Sequence, residues 1–600
     1  MKWLLWVVLV LVGLACRLFV PTLPSSPVAE TVTPPIDSPS ATALSSEPPL
    51  PSVTPSPEPS PTLTPVPTLT PLPTPTFTPS PVPTSASIGP GLELDNVRFF
   101  PWPLYPGDWV SVSVNPRLPA DVTGPLTLTW ILDSSDVLTA PIGFEGLDAR
   151  LQARFYWAWR VPETTSTIPL TFTLLLPPDA FDPDLADNTL VVPVSPLPVE
   201  AFHAPEPEAR WVSTELPGVR LHYLTRTAAE RDLDAIADVV AAAYEDVGAR
   251  FGFSAAGDLL DIYLLDRVIG QGGYASWDWA AISYTDRQYT PSDLGMVLRH
   301  ELTHRLDAAL GCHTAPSVVR EGLAVYVAGG HYWAGSPVQD TAALRASVHY
   351  IPLSQLADDF YTLQHEVSYR EAGAFIGYIV EHFGWEGMET FCRTTLSGEW
   401  EDTAARLSAG LLALGEVDWQ AFEKTWEAWL DAQSVSPETP ARLEVELRLM
   451  ETVRAYQRIY DPGAHFLEGI LFSPADGAQW NITADFVRRP HEAEPVALEL
   501  LLAMAQEAVS YGAIEAVEKP LAAVEDVLAN GFPETGLAAD ARGIVAAALA
   551  QGYEPYRLVP YLDGTYEVHA LVQAAWPTQR LLTASQVGAA WTVMALPLSD

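Results

Sequence analysis

The residues of this chain whose types and spacing could do chemistry stand in "RHELTHRL", where His300 and His304 flank Glu301. On a helix, positions four apart lie one above the other, so both imidazoles can reach one metal ion. Glu301, one residue on, is turned about a hundred degrees from His300 and can reach a water on that ion without displacing it. This is the His-Glu-x-x-His arrangement in which a Zn²⁺ ion activates a water and the glutamate moves its proton.

The same stretch reads equally as an ordinary helix. In "TPSDLGMVLRHELTHRLDAALG" Thr290 is the expected cap, Pro291 suits the first helical position, and Asp293 stands three after the cap. Leu294, Val297, Leu298, Leu302 and Leu306 form an apolar arc, and Gly311 stops the helix. None of this needs a metal. The histidines, however, border that arc, and burial would leave each ring a polar nitrogen to satisfy. A catalytic zinc needs a third protein ligand and an open fourth position. Downstream, "APSVVREGLAVYVAGG" places Glu321 on a second helix after a proline-marked turn, with Gly322 and Ala324 small enough for two helices to approach closely. A lone buried glutamate there is costly unless something coordinates it. His331 is the rival third ligand, while His313, His349, His365 and His382 read as surface or structural histidines.

"HELTH" followed by "PSVVREGLAVY" resembles the gluzincin metallopeptidases, particularly the bacterial peptidase MA-like families. Their second motif typically reads Pro-x-Trp-Leu-x-Glu-Gly-Leu-Ala; here Val318 and Val319 replace the Trp-Leu pair. The gap from His304 to Glu321 is slightly shorter than in the thermolysin and aminopeptidase N branches. The resemblance covers roughly residues 208–435, with sharp motifs from His300 to about Gly384. It implies His300, His304 and Glu321 as zinc ligands and Glu301 as general base. In "SYREAGAFIGYIVEHFG" it implies that Tyr369, with Ala372 in the small position, steadies the oxyanion; packing at a helix start is the other reading of Tyr369. By the same analogy, "GGYASWDWAAISYT" is an edge strand that pairs with a peptide backbone.

The elements that must position these residues occupy only part of 600 residues. The expected architecture is multidomain. Residues 1–20, with Lys2 followed by an apolar run to Ala15 and then Cys16, read as an export signal, a lipoprotein leader or an uncleaved anchor. Residues 21–90 are dominated by Pro, Ser and Thr, which predicts a polyproline-like disordered stalk that cannot bury a core. Residues 91–200 alternate at period two in "VSVSV", "LTLTWIL" and "IPLTFTLLL", which predicts an Ig-like β-sandwich. Residues 205–435 predict the α+β metallopeptidase domain: strands "VRLHYLT", "LLDIYLLD" and "AAISYT", a long helix between the first two, then mostly helices. Residues 437–600 predict a C-terminal α+β domain with strands "TYEVHALVQAAW", "QRLLTAS" and "AAWTVMAL".

A net charge of −42 argues against nucleic acid as partner, since phosphates need Lys and Arg. Three cysteines exclude a disulfide scaffold; Cys312 and Cys392 make one expected bridge. The expected partner is a peptide or protein substrate, and the N-terminus implies attachment to a membrane or cell surface outside the cytoplasm, a bacterial one by the resemblance. Three functions fit these residues. One is a secreted or surface-anchored zinc peptidase. Another is a surface binding or adhesion protein with a vestigial metal site, against which the intact Glu301 speaks. The third is a zinc hydrolase of a non-peptide bond.

Overall fold

The structure is a computed structural model that describes residue 91 and residues 97–596, apart from 115, 117–126, 133–135, 142–154, 177–181, 200–205, 252–258, 276–278, 292, 397–401, 466–472 and 574. The expected leader and stalk, 1–20 and 21–90, lie outside the described residues. It is a mixed α and β protein with several sheets. The alternating segment forms two antiparallel sheets. One orders β1 (Val97–Phe100), β2 (Trp109–Val114) and β5 (Phe155–Arg160); the other orders β4 (Asp136–Pro141), β3 (Thr127–Leu132), β6 (Ile168–Leu175) and β7 (Thr189–Val194). Along β6 every second side chain, Ile168, Leu170, Phe172 and Leu174, is buried, and these meet Val110, Val112 and Val114 of β2 in one core. Period two puts alternate residues on one face, so the pattern and the packing have the same cause.

A five-stranded sheet carries the next segment. It contains β8 (Trp211–Leu216), β9 (Val219–Leu224), β10 (Leu260–Leu265), β11 (Gly273–Ala275) and β12 (Trp279–Ser283), in the order β11-β12-β10-β9-β8. The three inner strands β9, β10 and β12 run parallel, and helix α1 (Leu233–Phe251) makes the crossover from β9 to β10. Parallel strands are covered on both faces, which explains the apolar run Ile262–Leu265 of β10. One face packs on α1 and on α2 (Leu294–Leu306) through Val240, Val247, Leu298 and Leu302. The other meets Ile482, Phe486 and Val487, more than 200 residues further on. β11 is an edge strand of this sheet, paired antiparallel with β12.

After α2 come α3 (Ser317–Ala328), a two-stranded hairpin of β13 (Gly330–His331) and β14 (Trp333–Ala334), and the long helix α4 (His365–Leu396), bent at Gly384 where φ is 68°. A disulfide joins Cys312, just past α2, to Cys392 near the end of α4.

The last segment opens with α5 (Thr439–Tyr460) and α6 (Ala493–Ser510) and ends in an antiparallel sheet of β15 (Tyr553–Pro560), β16 (Tyr566–Val572), β17 (Gln579–Val587) and β18 (Ala590–Ala595). Its core is shared with what precedes it: Val268, Tyr289 and Trp333 pack into one cluster with Val453, Leu498 and Leu501. Buried ion pairs cross the same boundary. Arg267 meets Asp461 at 2.8 Å, and Arg287 meets Glu554 at 3.1 Å and Glu499 closer still. Such pairs add little net stability, but losing one partner strands a buried charge, at roughly 3–5 kcal/mol. The described residues form one compact unit. No helix among the described residues is long and apolar enough to cross a membrane.

Candidate metal centre

Helix α2 starts later than its sequence predicts. Asp293 is its cap, accepting the Met296 N–H at 2.8 Å, while the Thr290 hydroxyl accepts from the Gln288 side chain at 2.7 Å. An aspartate placed three before a free N–H satisfies that donor as well as a threonine does, so two candidate caps compete and the one next to the apolar run prevails. The apolar arc then behaves as expected. Leu298, Leu302 and Leu306 are buried under the sheet, and the face bearing His300 and His304 turns toward α3. The two helices are clamped at both ends: Arg299 donates to the Ala328 carbonyl at 3.3 Å, and Arg320 to Asp307 at 2.9 Å. α3 in turn lies hard against α4, because Gly322 has no side chain where the Ala372 carbonyl passes.

This packing brings three ligand atoms to one point. His300 Nε2 and His304 Nε2 are 3.2 Å apart, and Glu321 Oε2 stands 3.2 Å from the second and 3.4 Å from the first. They are the one group of three or more His, Cys, Asp or Glu among the described residues that could hold a metal ion. Ligands at about 2.0–2.1 Å in a tetrahedron stand about 3.3–3.4 Å from each other. The triangle therefore fits a zinc ion with two imidazoles and one carboxylate oxygen.

Charge among the three ligands is arranged for such an ion. Burial alone would raise the Glu321 carboxyl, but the His304 and His300 rings outweigh it and hold the group well below the usual carboxylate range. Burial alone would lower His304, but the Glu321 carboxylate, with Glu301 behind it, lifts the ring above its ordinary value. Glu301 itself has no hydrogen bond or ion pair among the described residues, although its charge acts on both His304 and Tyr369.

Tyr369 lies in the second turn of α4, stacked on His331 at 4.6 Å between ring centres and 6.3 Å from His300. Burial, then the nearby Glu321 charge, push its hydroxyl well above the usual phenol range, so it remains a donor. It makes no hydrogen bond among the described residues. His331 is not in the triad. Its Nε2 faces His365 Nδ1 at 3.3 Å, and burial keeps the ring neutral. His365 Nδ1 also shares a hydrogen bond with the Tyr332 hydroxyl at 2.9 Å. His349 sits beside Glu444, His382 bonds the Tyr378 carbonyl, and His313 is exposed. One contact was not foreseen: the Tyr361 hydroxyl donates to Glu321 Oε1 at 3.0 Å. A cavity of about 290 Å³ at the carboxyl ends of β9 and β12 is lined by Arg231, Asp232 and Asp286, already paired with one another, and by none of the triad.

No protein-family model matches the chain, and no curated protein matches it in sequence. Among solved structures, native yeast LTA4 hydrolase aligns with a TM-score of 0.27 at 13% identity, over 73% of this chain and 92% of that one. Native leukotriene A4 hydrolase from Saccharomyces cerevisiae gives 0.26 at 11%, over 74% and 93%. Overlap at that level carries no argument about fold or function. The site stands on its own geometry.

Proposed function

We propose that this chain is a zinc-dependent peptidase, secreted or held at a cell surface through its N-terminus, that hydrolyses peptide bonds in peptide or protein substrates. The observation that carries this reading is the convergence of His300, His304 and Glu321 on one point, with the unpaired Glu301 carboxylate one residue along the same helix. A structural site needs no such base. A zinc ion bound there would bring the pKa of a water toward neutrality and polarise a carbonyl.

The chain's own residues supply the rest. Glu301 takes the proton of the water that attacks the scissile carbonyl, holds it on a carboxylate oxygen, and passes it to the leaving nitrogen. The Tyr369 hydroxyl, kept protonated by burial, donates to the carbonyl oxygen as that oxygen gains charge. β11, at the edge of its sheet, can take an extended peptide as a further strand. The basic and apolar N-terminus and the Cys312–Cys392 disulfide favour an export route, because disulfides persist in oxidising compartments. In this reading residues 21–90 are a spacer, and the two sheets of 91–200 are an Ig-like module beside the catalytic part.

Metal analysis and a peptide-library digest of the full chain test the proposal. The wild type should hold one zinc and cleave. Glu301→Gln should keep the zinc and lose roughly a hundred- to ten-thousandfold in turnover. A wild type that binds no zinc, or a Glu301→Gln variant with undiminished cleavage, would overturn it.

A further inference from the structure

Glu321 has two carboxylate oxygens, and the structure gives them different work. Oε2 faces the two imidazoles at 3.2 and 3.4 Å. Oε1 turns away from them and accepts the Tyr361 hydroxyl at 3.0 Å. Tyr361 comes from the 3-10 turn Phe360–Thr362, 40 residues beyond Glu321, and its ring lies edge-on to Phe360 at 5.2 Å. The hydroxyl is thus held on Glu321, although the tyrosine as a whole is 52% exposed.

The consequence lies in coordination. A carboxylate that binds through both oxygens takes two positions around an ion, and with two imidazoles it would close a four-coordinate shell. A catalytic site must keep a position open. A donor on one oxygen drains charge from it and fixes the carboxylate torsion, so only the other oxygen remains a good ligand. We propose that Tyr361 is a positioning residue of the metal centre, holding Glu321 to one-oxygen coordination and thereby keeping a position free for water and substrate. This rests on the zinc reading above.

Tyr361→Phe tests it in the full chain, because the ring and its contact with Phe360 are kept and only the hydroxyl is lost. Two readouts are taken on wild type and variant with the metal alone: zinc affinity by chelator competition, and the visible absorption of the cobalt(II)-loaded protein. The variant should bind zinc about tenfold more weakly, as for other partners of metal ligands. Its cobalt bands should weaken as Glu321 swings to two-oxygen binding and the coordination number rises. A hydroxyl that served only packing would leave the cobalt spectrum unchanged. Wild-type affinity, or an unchanged spectrum, would therefore overturn the proposal while leaving the zinc site standing. A wild type that takes up neither metal removes the zinc reading itself, and this inference with it.

Discussion

Gly322→Ala sets two effects of opposite sign against each other next to the metal centre. In an isolated helix the change gains about 1 kcal/mol, because alanine is the better helix former. Here a Cβ would lie 2.4 Å from the Ala372 carbonyl oxygen, 2.7 Å from its carbon and 3.0 Å from Ile376 Cγ1. The nearest obstacle is backbone and cannot rotate away, so α3 and α4 must part by about 1 Å to restore van der Waals contact. Overpacking of that kind costs roughly 1–3 kcal/mol. The net expectation is a loss of about 1 kcal/mol in urea unfolding of the metal-free protein. Glu321 is the adjacent residue, and metal–ligand distances tolerate only about 0.2 Å. Zinc affinity should therefore fall at least about tenfold in chelator competition. A variant as stable as wild type, with unchanged zinc affinity, would refute the close-approach argument.

Tyr369→Phe should lower kcat roughly a hundredfold with little change in KM, since an oxyanion donor acts mainly in the transition state; steady-state kinetics with an unchanged kcat would return the tyrosine to packing. Glu321→Ala should lose zinc on dialysis against a mild chelator while His331→Ala keeps it; the reverse result would make His331 the third ligand. Asp485 is buried with neither carboxylate oxygen bonded, and burial pushes its pKa up to about 8 against the attraction of Arg267 and Arg488. A folded pKa above the unfolded one means stability is highest at low pH and is lost as pH rises toward 8. Asp485→Asn, neutral throughout, should therefore gain on wild type by about 1 kcal/mol per pH unit between roughly pH 5 and 7. Urea midpoints that move in parallel across that range would contradict this.

Much of the architecture is legible in the chain because it is local. Period-two runs become β2, β3 and β6, and the periodic stretch after "VRLHYLT" becomes α1. Helical spacing alone places His300, Glu301 and His304 on neighbouring positions of α2. The glutamate of "REGLA" is conspicuous because an isolated acid in an apolar helix asks for a partner. Less regular strands escape this logic: β8 and β15, "WVSTEL" and "YEPYRLVP", carry no clean alternation and gain their place from the strands they pair with.

What no local pattern could decide is which distant groups meet. His331 stands only ten residues past Glu321, yet the β13–β14 hairpin turns its ring onto Tyr369 and His365 rather than into the triad. Tyr361 lies in "DDFYTLQ", where nothing marks it; only the fold of the chain between α3 and α4 sets its hydroxyl on Glu321. The same holds for Arg267, Arg287, Asp461 and Glu554, which look like surface charges one by one and become buried pairs only when segments 194 and 267 residues apart close on each other. The sequence by itself determined helix, strand and the two ligand motifs, because periodicity and residue chemistry act over a few neighbours. Tertiary structure alone decided the third dimension of the site, its unforeseen donor and the covering of the sheet, because those depend on close packing between residues that share no local signal.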